Sequence, residues 1–177
     1  MILTAQQLTE IAIYASPNKI ATYLPMLQDT MVKYQIDTPL RVSHFLAQII
    51  HESGSFQYTV ELDSGLAYEY RADLGNTQKG DGPLYKGRGF MQLTGRSNYA
   101  HYGLYVGEDL IAHPALVATK YPVDVSGWFW ANHSLNVLAD ADNINAITRM
   151  INGGYNGLQD RIFYLKKAKL ILGMDNV

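Results

Sequence analysis

The chain has 177 residues, of which 47% are hydrophobic and 17% charged, a composition that suits one compact domain able to bury its own core. Sixteen acidic residues against fourteen basic ones give a net charge of −2 without a basic block, which argues against nucleic acid as the main partner. Because there is no cysteine, a disulfide framework, a thiolate metal site and a cysteine nucleophile are excluded.

The beginning of the sequence, MILTAQQLTE, lacks a basic segment followed by a long apolar run. No stretch approaches the ~20 consecutive apolar residues that a membrane span requires. We therefore expect synthesis in a reducing cytoplasm without stable membrane insertion, and a separate delivery route for any action outside the cell.

Two helix starts are predicted near the N-terminus. Thr4 is a candidate N-cap for a helix over residues 4–14. Ser16 followed by Pro17 combines a cap with a residue preferred in the first turn, which predicts a second helix over residues 16–34.

A third helix is predicted from Thr38 and Pro39, which repeat the same start signal. Apolar residues then recur at helical spacing until Ser53 and Gly54 interrupt the pattern. Glu52, in the string HESG, is therefore predicted at a helix end.

Residues 61–89 lack a regular hydrophobic period, because six glycines and a proline interrupt it and favour turns and short strands. Helical patterns return in four later segments, over residues 97–102, 123–138, 144–151 and 158–172. This order of elements predicts a mainly α single domain, 1–177, in which a small irregular or β lobe flanks a cleft.

Two glutamates have the chemistry that glycosidic-bond hydrolysis needs. One carboxylic acid must protonate the leaving oxygen, and a second carboxylate usually activates water or attacks the sugar. Glu52 follows the apolar run FLAQII, where partial removal from water would raise the pKa of a carboxyl group, as a general acid requires. Glu61 lies nine residues later, beyond the helix break, so the chain can turn and bring the two carboxyl groups closer.

Two glycine-containing segments supply neutral hydrogen-bonding groups. In YKGRGFMQLTGRSNY, residues 85–99, glycines permit close backbone approach, while Gln92, Thr94 and Asn98 suit sugar hydroxyls and a positioned water. In INGGYNG, Asn152 lies within a glycine-rich bend after a helical stretch. Taken singly, each segment could equally be a purely structural feature, such as a helix stop or a tight turn.

Taken together, the strings closely resemble those of family 19 chitinases and the related phage and bacterial endolysins. The strings are HESGSF with a glutamate nine positions after its own, YKGRGFMQLTGRSNY, and INGGYNG followed by Asp160 and Arg161. The resemblance runs from residue 45 to residue 172 and implies a lysozyme-like fold. Residues 67–82 resemble a loop of a bacterial branch of the family, with Tyr70 and Lys79 where glycine and proline are expected.

The resemblance also implies roles for individual residues. Glu52 occupies the position of the general acid, Glu61 that of the general base in an inverting reaction, and Thr94 that of a hydroxyl residue that helps to hold the water. The substrate-binding positions implied are Tyr68, Tyr85, Arg88, Gln92, Asn98, Asn152 and Arg161, the last of these also near the catalytic network.

No metal or cofactor is expected. His51 precedes Glu52, but HESGS lacks the second histidine of the zinc motif HExxH. His51 is therefore predicted to make a supporting hydrogen bond or to pack between helices. The aromatic run Trp128, Phe129 and Trp130 is predicted to belong to the core rather than to a sugar platform.

The leading functional prediction is a monomeric peptidoglycan hydrolase of the muramidase or endolysin type, made in a bacterial cytoplasm and acting in the periplasm or cell wall. A holin or a secretion system would then be the delivery partner. A chitinase, a delivered antibacterial effector and a non-catalytic wall-binding module are the alternatives. Both glutamates and Thr94 are present, which argues against a mere binder.

Overall fold

The computed structural model describes residues 2–174 and is mainly helical, as predicted. Two single-turn 3₁₀ helices, Leu66–Tyr68 and Ala72–Leu74, lie between the third and fourth α-helices. The α-helices are, in order, α1 Ala5–Ile11, α2 Pro17–Lys33, α3 Pro39–Glu52, α4 Asp81–Leu84, α5 Arg96–Val106, α6 Leu116–Thr119, α7 Asp124–Asn132, α8 Leu135–Asp140, α9 Ile144–Asn152 and α10 Leu158–Ile171.

The caps of the first three helices are those that the sequence predicts. The side-chain oxygens of Thr4, Ser16 and Thr38 each accept a hydrogen bond from the backbone N–H three residues later, at 3.2, 3.4 and 3.2 Å. These bonds satisfy N–H groups that have no partner within the helix. The third helix ends at Glu52, which confirms the predicted position of this residue.

Two predictions about secondary structure are wrong. The helix predicted over 123–138 is divided into α7 and α8, because Ser134 has a φ of 53°, which a continuous right-handed helix does not allow. The short strands predicted in the lobe are absent from the described residues, where only two isolated bridges form, between Val60 and Arg88 and between Arg88 and Leu93. Glycines and positive φ angles prevent longer ladders there.

The main core is built around α3, which packs along α10. Nine consecutive residues of α3, from Val42 to Ile50, are buried, so this helix has almost no solvent face before it reaches Glu52. A second apolar cluster, rich in tyrosine, lies beneath the lobe, and Trp128 packs against both clusters. Within residues 2–174, no helix combines the length and the apolar character needed to cross a bilayer.

Candidate active site

Glu52 is held by an arginine from the opposite helix. Arg161, on α10, is fully buried and donates from Nη2 to Oε1 of Glu52, whose side chain keeps 20% of its surface exposed. Oε2 of Glu52 has no hydrogen-bond partner among the described residues. One carboxylate oxygen is therefore fixed by a cation, while the other remains open to a ligand.

The same guanidinium contacts a second residue of α3. Arg161 donates from Nη1 to Oε1 of Gln48, which lies one helical turn before Glu52 and is also fully buried. Nε of Arg161 is buried without a hydrogen-bond partner in the described structure. Gln48 was not predicted as a site residue, although its i, i+4 spacing to Glu52 was a usable signal.

His51 fastens the end of α3 to the start of α10. Its Nδ1 lies 2.6 Å from Oδ2 of Asp160, and its ring packs against Cα of Gly157, where any Cβ would overlap the imidazole. Gly157 also has a φ of 71°, so the close approach and the backbone conformation both require glycine. The predicted supporting role of His51 agrees with these contacts.

Glu61 lies on the lobe, and both of its carboxylate oxygens are held. Oε1 accepts a hydrogen bond from the Tyr68 hydroxyl at 2.8 Å, and Oε2 accepts one from the backbone N–H of Gly87 at 2.9 Å. Burial, followed by the bond to Glu61, raises the pKa of Tyr68, which keeps this hydroxyl a donor. These bonds fix the orientation of the Glu61 carboxylate.

The position of Gly87 depends on the absence of a side chain. A Cβ there would lie 2.5 Å from Oε1 of Gln92 and 3.1 Å from Oε2 of Glu61. Gln92 itself has a φ of 52° and donates from Nε2 to the Gly89 carbonyl oxygen at 2.8 Å. The loop is therefore folded tightly around the Glu61 carboxylate.

A groove of about 600 Å³ lies next to this loop. Thr94 donates from Oγ1 to the Gln92 carbonyl oxygen at 2.9 Å, which leaves the hydroxyl lone pairs available to accept a hydrogen bond. Asn98 donates from Nδ2 to the Thr94 carbonyl oxygen at 2.7 Å, which turns its amide toward the same turn. The lining includes Gln92, Thr94 and Asn98, as predicted from sequence, together with His101, Trp128, Phe129, Asn132 and His133, which were not.

The three consecutive aromatic residues of α7, at positions 128–130, have two different roles. Trp130 is fully buried and donates from Nε1 to Asn136, as predicted for a core residue. Trp128 and Phe129 are only partly buried and line the groove. Their helical spacing gave no means of separating the two roles, because neighbouring positions on a short helix face different directions.

Three residues predicted to bind substrate have other observed contacts. Tyr85 is 1% exposed and donates from its hydroxyl to the Ile111 carbonyl oxygen at 3.2 Å. Arg88 donates to the Leu84 carbonyl oxygen at 2.8 Å and to the Tyr99 hydroxyl at 2.9 Å. These two side chains stabilise the lobe from within. Asn152 is exposed at the end of α9 and accepts from the Asn156 N–H at 3.3 Å, so it is accessible to a ligand.

The arrangement suits acid and base chemistry on a neutral, hydroxyl-rich ligand. One carboxyl group has an open oxygen beside a buried cation, a second is oriented by two donors, and neutral polar groups line the groove next to the loop that holds Glu61. Among residues 2–174, no group of three or more histidine, aspartate or glutamate side chains is placed to hold a metal ion.

Comparison of the sequence with known proteins gives a consistent set of relatives. A family model described as chitinase class I, of glycoside hydrolase family 19, matches residues 41–143. A family 19 domain-containing protein of Haemophilus influenzae is 34% identical over 101 residues, which are 57% of this chain and 49% of that protein. Endochitinase At2g43620 of Arabidopsis thaliana is 35% identical over 142 residues, 75% of this chain and 48% of that protein.

Solved structures show the same fold. A bacterial family 19 chitinase superposes with a TM-score of 0.75 at 22% identity, covering 98% of this chain and 96% of that one. The predicted lysozyme-like fold is therefore confirmed. The chain spans about half the length, or less, of the first curated relatives that it matches.

Proposed function

Because the chain belongs to glycoside hydrolase family 19, we propose that it hydrolyses the β-1,4 bonds between the N-acetylated amino sugars of peptidoglycan by an inverting acid/base mechanism. The observation that carries this proposal is the different environment of the two carboxyl groups. Glu52 has one oxygen on Arg161 and one open, whereas Glu61 has both oxygens oriented by donors. An open oxygen suits the proton donor, and a carboxylate oriented by two donors suits the base.

In this mechanism Glu52 donates its proton to the glycosidic oxygen as the bond to the leaving sugar breaks. Arg161 then stabilises the carboxylate that remains. Glu61 takes a proton from the attacking water, since each of its oxygens keeps a second lone pair beside the bond that it accepts. The Thr94 hydroxyl helps to hold that water, and Gln92 and Asn98 bind sugar substituents.

Peptidoglycan is favoured over chitin by the histidines along the groove. His101 and His133 are exposed and both line it. The exposed imidazole of His101 can donate a hydrogen bond to the carboxylates on the peptide stems of peptidoglycan, which chitin lacks. The absence of cysteine supports the same preference, because plant-type chitinases of this family usually carry disulfides.

Chitin is the second candidate substrate. Chitin and peptidoglycan share the β-1,4-linked N-acetylated backbone, so the residues around the scissile bond suit both. Several relatives, including those from Arabidopsis thaliana and Zea mays, are named endochitinases. A preference for chitin would leave the assignment of Glu52 and Glu61 unchanged.

The test is reducing-end release from purified peptidoglycan and from chitin oligosaccharides, with Glu52→Gln protein as the blank. Mass spectrometry of the products identifies the new reducing end. We expect products ending in N-acetylmuramic acid from peptidoglycan and slower release from chitin. Faster release from chitin would overturn the preference, and binding without hydrolysis of either polymer would indicate a wall-binding module.

We also propose that the enzyme is made in a bacterial cytoplasm and reaches the wall through a holin or a secretion system, as a lytic enzyme or a delivered effector. Support comes from the proposed substrate, which lies outside the cytoplasmic membrane. Expression in a bacterial host should leave the cells intact, whereas co-expression with a holin or fusion to an export signal should lyse them. Lysis without either addition would contradict this route.

A further inference from the structure

A chain of buried polar side chains leads from α9 to Glu52. Thr148, on α9, is fully buried and accepts from Nε2 of Gln48 at 3.5 Å. Gln48 accepts from Nη1 of Arg161, and Arg161 donates from Nη2 to Glu52. Thr148, Gln48 and Arg161 are each 0% exposed, so the hydrogen bonds that join them are screened from water.

The bond from Arg161 to the uncharged Gln48 has a specific consequence for an acid, Glu52, that must gain and lose a proton. When Glu52 is ionised, its carboxylate balances the buried charge of Arg161. When Glu52 is protonated and ready to donate, that balance is gone. The oxygen of Gln48 still accepts from Arg161 in either state, because an amide does not titrate in this range.

We propose that Gln48 and Thr148 are positioning residues, which keep the Arg161 guanidinium directed at Glu52 through both protonation states. Gln48 supplies the acceptor, and Thr148 fixes the amide orientation of Gln48 so that its oxygen, not its nitrogen, faces Arg161. This role rests on the proposed function of Glu52 as the general acid. It extends the site inward to two fully buried residues.

The experiment has one readout that needs no substrate. Slow rotation of a firmly bonded guanidinium gives separate ¹⁵N–¹H signals for its Nη groups, which for Arg161 are assigned by their loss in Arg161→Lys. We expect these signals to broaden or merge in Gln48→Met, which keeps the side-chain length but removes the acceptor. In Thr148→Val the change should be smaller, because the bond from Gln48 is long.

The second readout is turnover on peptidoglycan fragments or chitin oligosaccharides. Gln48→Met should lower kcat by about 10- to 100-fold, as expected when a reacting group loses its orientation, with KM changed less than about twofold. Thr148→Val should lower kcat less, and Thr148→Ser, which restores a hydroxyl, should recover most of it.

Gln28→Met is the matched control, because Gln28 is a partly buried glutamine that donates from Nε2 to the Leu3 carbonyl oxygen at 2.7 Å, far from Glu52 in sequence. It should reproduce any loss of stability without the change in Arg161 signals or in kcat. Arg161 signals that remain separate in Gln48→Met, or a kcat equal to that of Gln28→Met, would overturn the proposal. If the wild-type protein hydrolyses neither polymer, the proposed function fails, and the Arg161 signals alone decide whether Gln48 positions the guanidinium.

Discussion

Arg161 reaches Glu52 from a fully buried position, while the Glu52 side chain remains one-fifth exposed. The two residues are 109 positions apart in sequence and are brought together because α10 packs along α3. Because a buried guanidinium lies beside this partly open carboxyl group, we expect both activity and stability to depend on Glu52.

Glu52→Gln should abolish hydrolysis and leave the fold intact. The amide keeps the volume and an oxygen that accepts from Arg161, but it cannot donate the catalytic proton. Because a buried cation then faces a neutral partner, we expect the free energy of unfolding to fall by about 1–3 kcal/mol. Turnover and urea unfolding measure the two effects. Retention of more than a small fraction of wild-type turnover would exclude Glu52 as the acid.

Tyr68→Phe should lower turnover by about tenfold, because it removes one of the two donors that orient the Glu61 carboxylate and a hydrogen bond to a charged group contributes about 1.5–3 kcal/mol. The Gly87 N–H remains in place, so the loss should be incomplete. Steady-state kinetics would check this. Tyr14→Phe, on an exposed ring outside the site, is the control, and equal turnover of the two variants would contradict a role for Tyr68.

Thr94→Val should be damaging but milder than Glu52→Gln. Valine preserves the shape of threonine while removing the hydroxyl that is available to the water, so we expect turnover to fall by about 10- to 100-fold, at or below the lower end of general acid and base effects. Thr94→Ser, which retains the hydroxyl, should preserve most of the turnover. If kinetic measurements find Thr94→Val and wild type equal, Thr94 takes no part in holding water.

A pH dependence of stability follows from His44, which is fully buried with Nε2 2.7 Å from Asp142. Burial lowers the pKa of His44 below its ordinary 6.5, against the opposing effect of Asp142, and Lys169 lowers it further. A protonated imidazole would also carry an N–H at Nδ1, which has no acceptor in the described structure. The folded protein therefore binds fewer protons here than the unfolded chain.

Stability should accordingly decrease as the pH falls below about 6.5, since protons favour the unfolded state. The carboxyl group of Asp142 adds a second loss at lower pH. Burial acts to raise its pKa, but hydrogen bonds from Lys169 and His44 lower it overall below 3.8. Urea unfolding between pH 7.5 and 5 should show a shallower slope for His44→Gln than for wild type or for His113→Gln, an exposed control. Equal slopes would contradict the assignment to His44.

The sequence predicted the features that depend on local chemistry. Thr4, Ser16 and Thr38 begin helices because their side chains bond to backbone N–H groups three residues away, and Glu52 ends one. Gln48 was missed because it lies in the apolar run FLAQII, and its partner Arg161 is 113 positions away. Tyr85 was predicted to contact substrate, but local pattern gives no information about which face of the lobe is buried.

The loop over residues 67–82 shows how a departure from the family pattern is accommodated. Tyr70 stands where a glycine was expected, and its φ of 57° lies in the left-handed region that glycine adopts without steric cost. The ring is exposed, so the substitution places no bulk in the core. The backbone therefore keeps the conformation of a glycine although the residue has changed.

The last prediction concerns stereochemistry. Both oxygens of Glu61 are held by donors on the lobe, an orientation that suits proton abstraction from a water rather than direct attack on the sugar. An inverting reaction needs space for that water, so in a liganded structure the carboxyl groups of Glu52 and Glu61 should be about 6.5–9.5 Å apart, against about 5–5.5 Å for a retaining enzyme.

Proton NMR of the first-formed sugar decides between the two mechanisms. Inversion at a β-linked carbon gives the α-anomer, which should appear before mutarotation mixes the two forms. Glu61→Gln should abolish this product without forming a covalent adduct, because an amide cannot accept the proton of the water. Initial formation of the β-anomer, or a glycosyl-enzyme trapped on Glu61, would make Glu61 a nucleophile and the mechanism a retaining one.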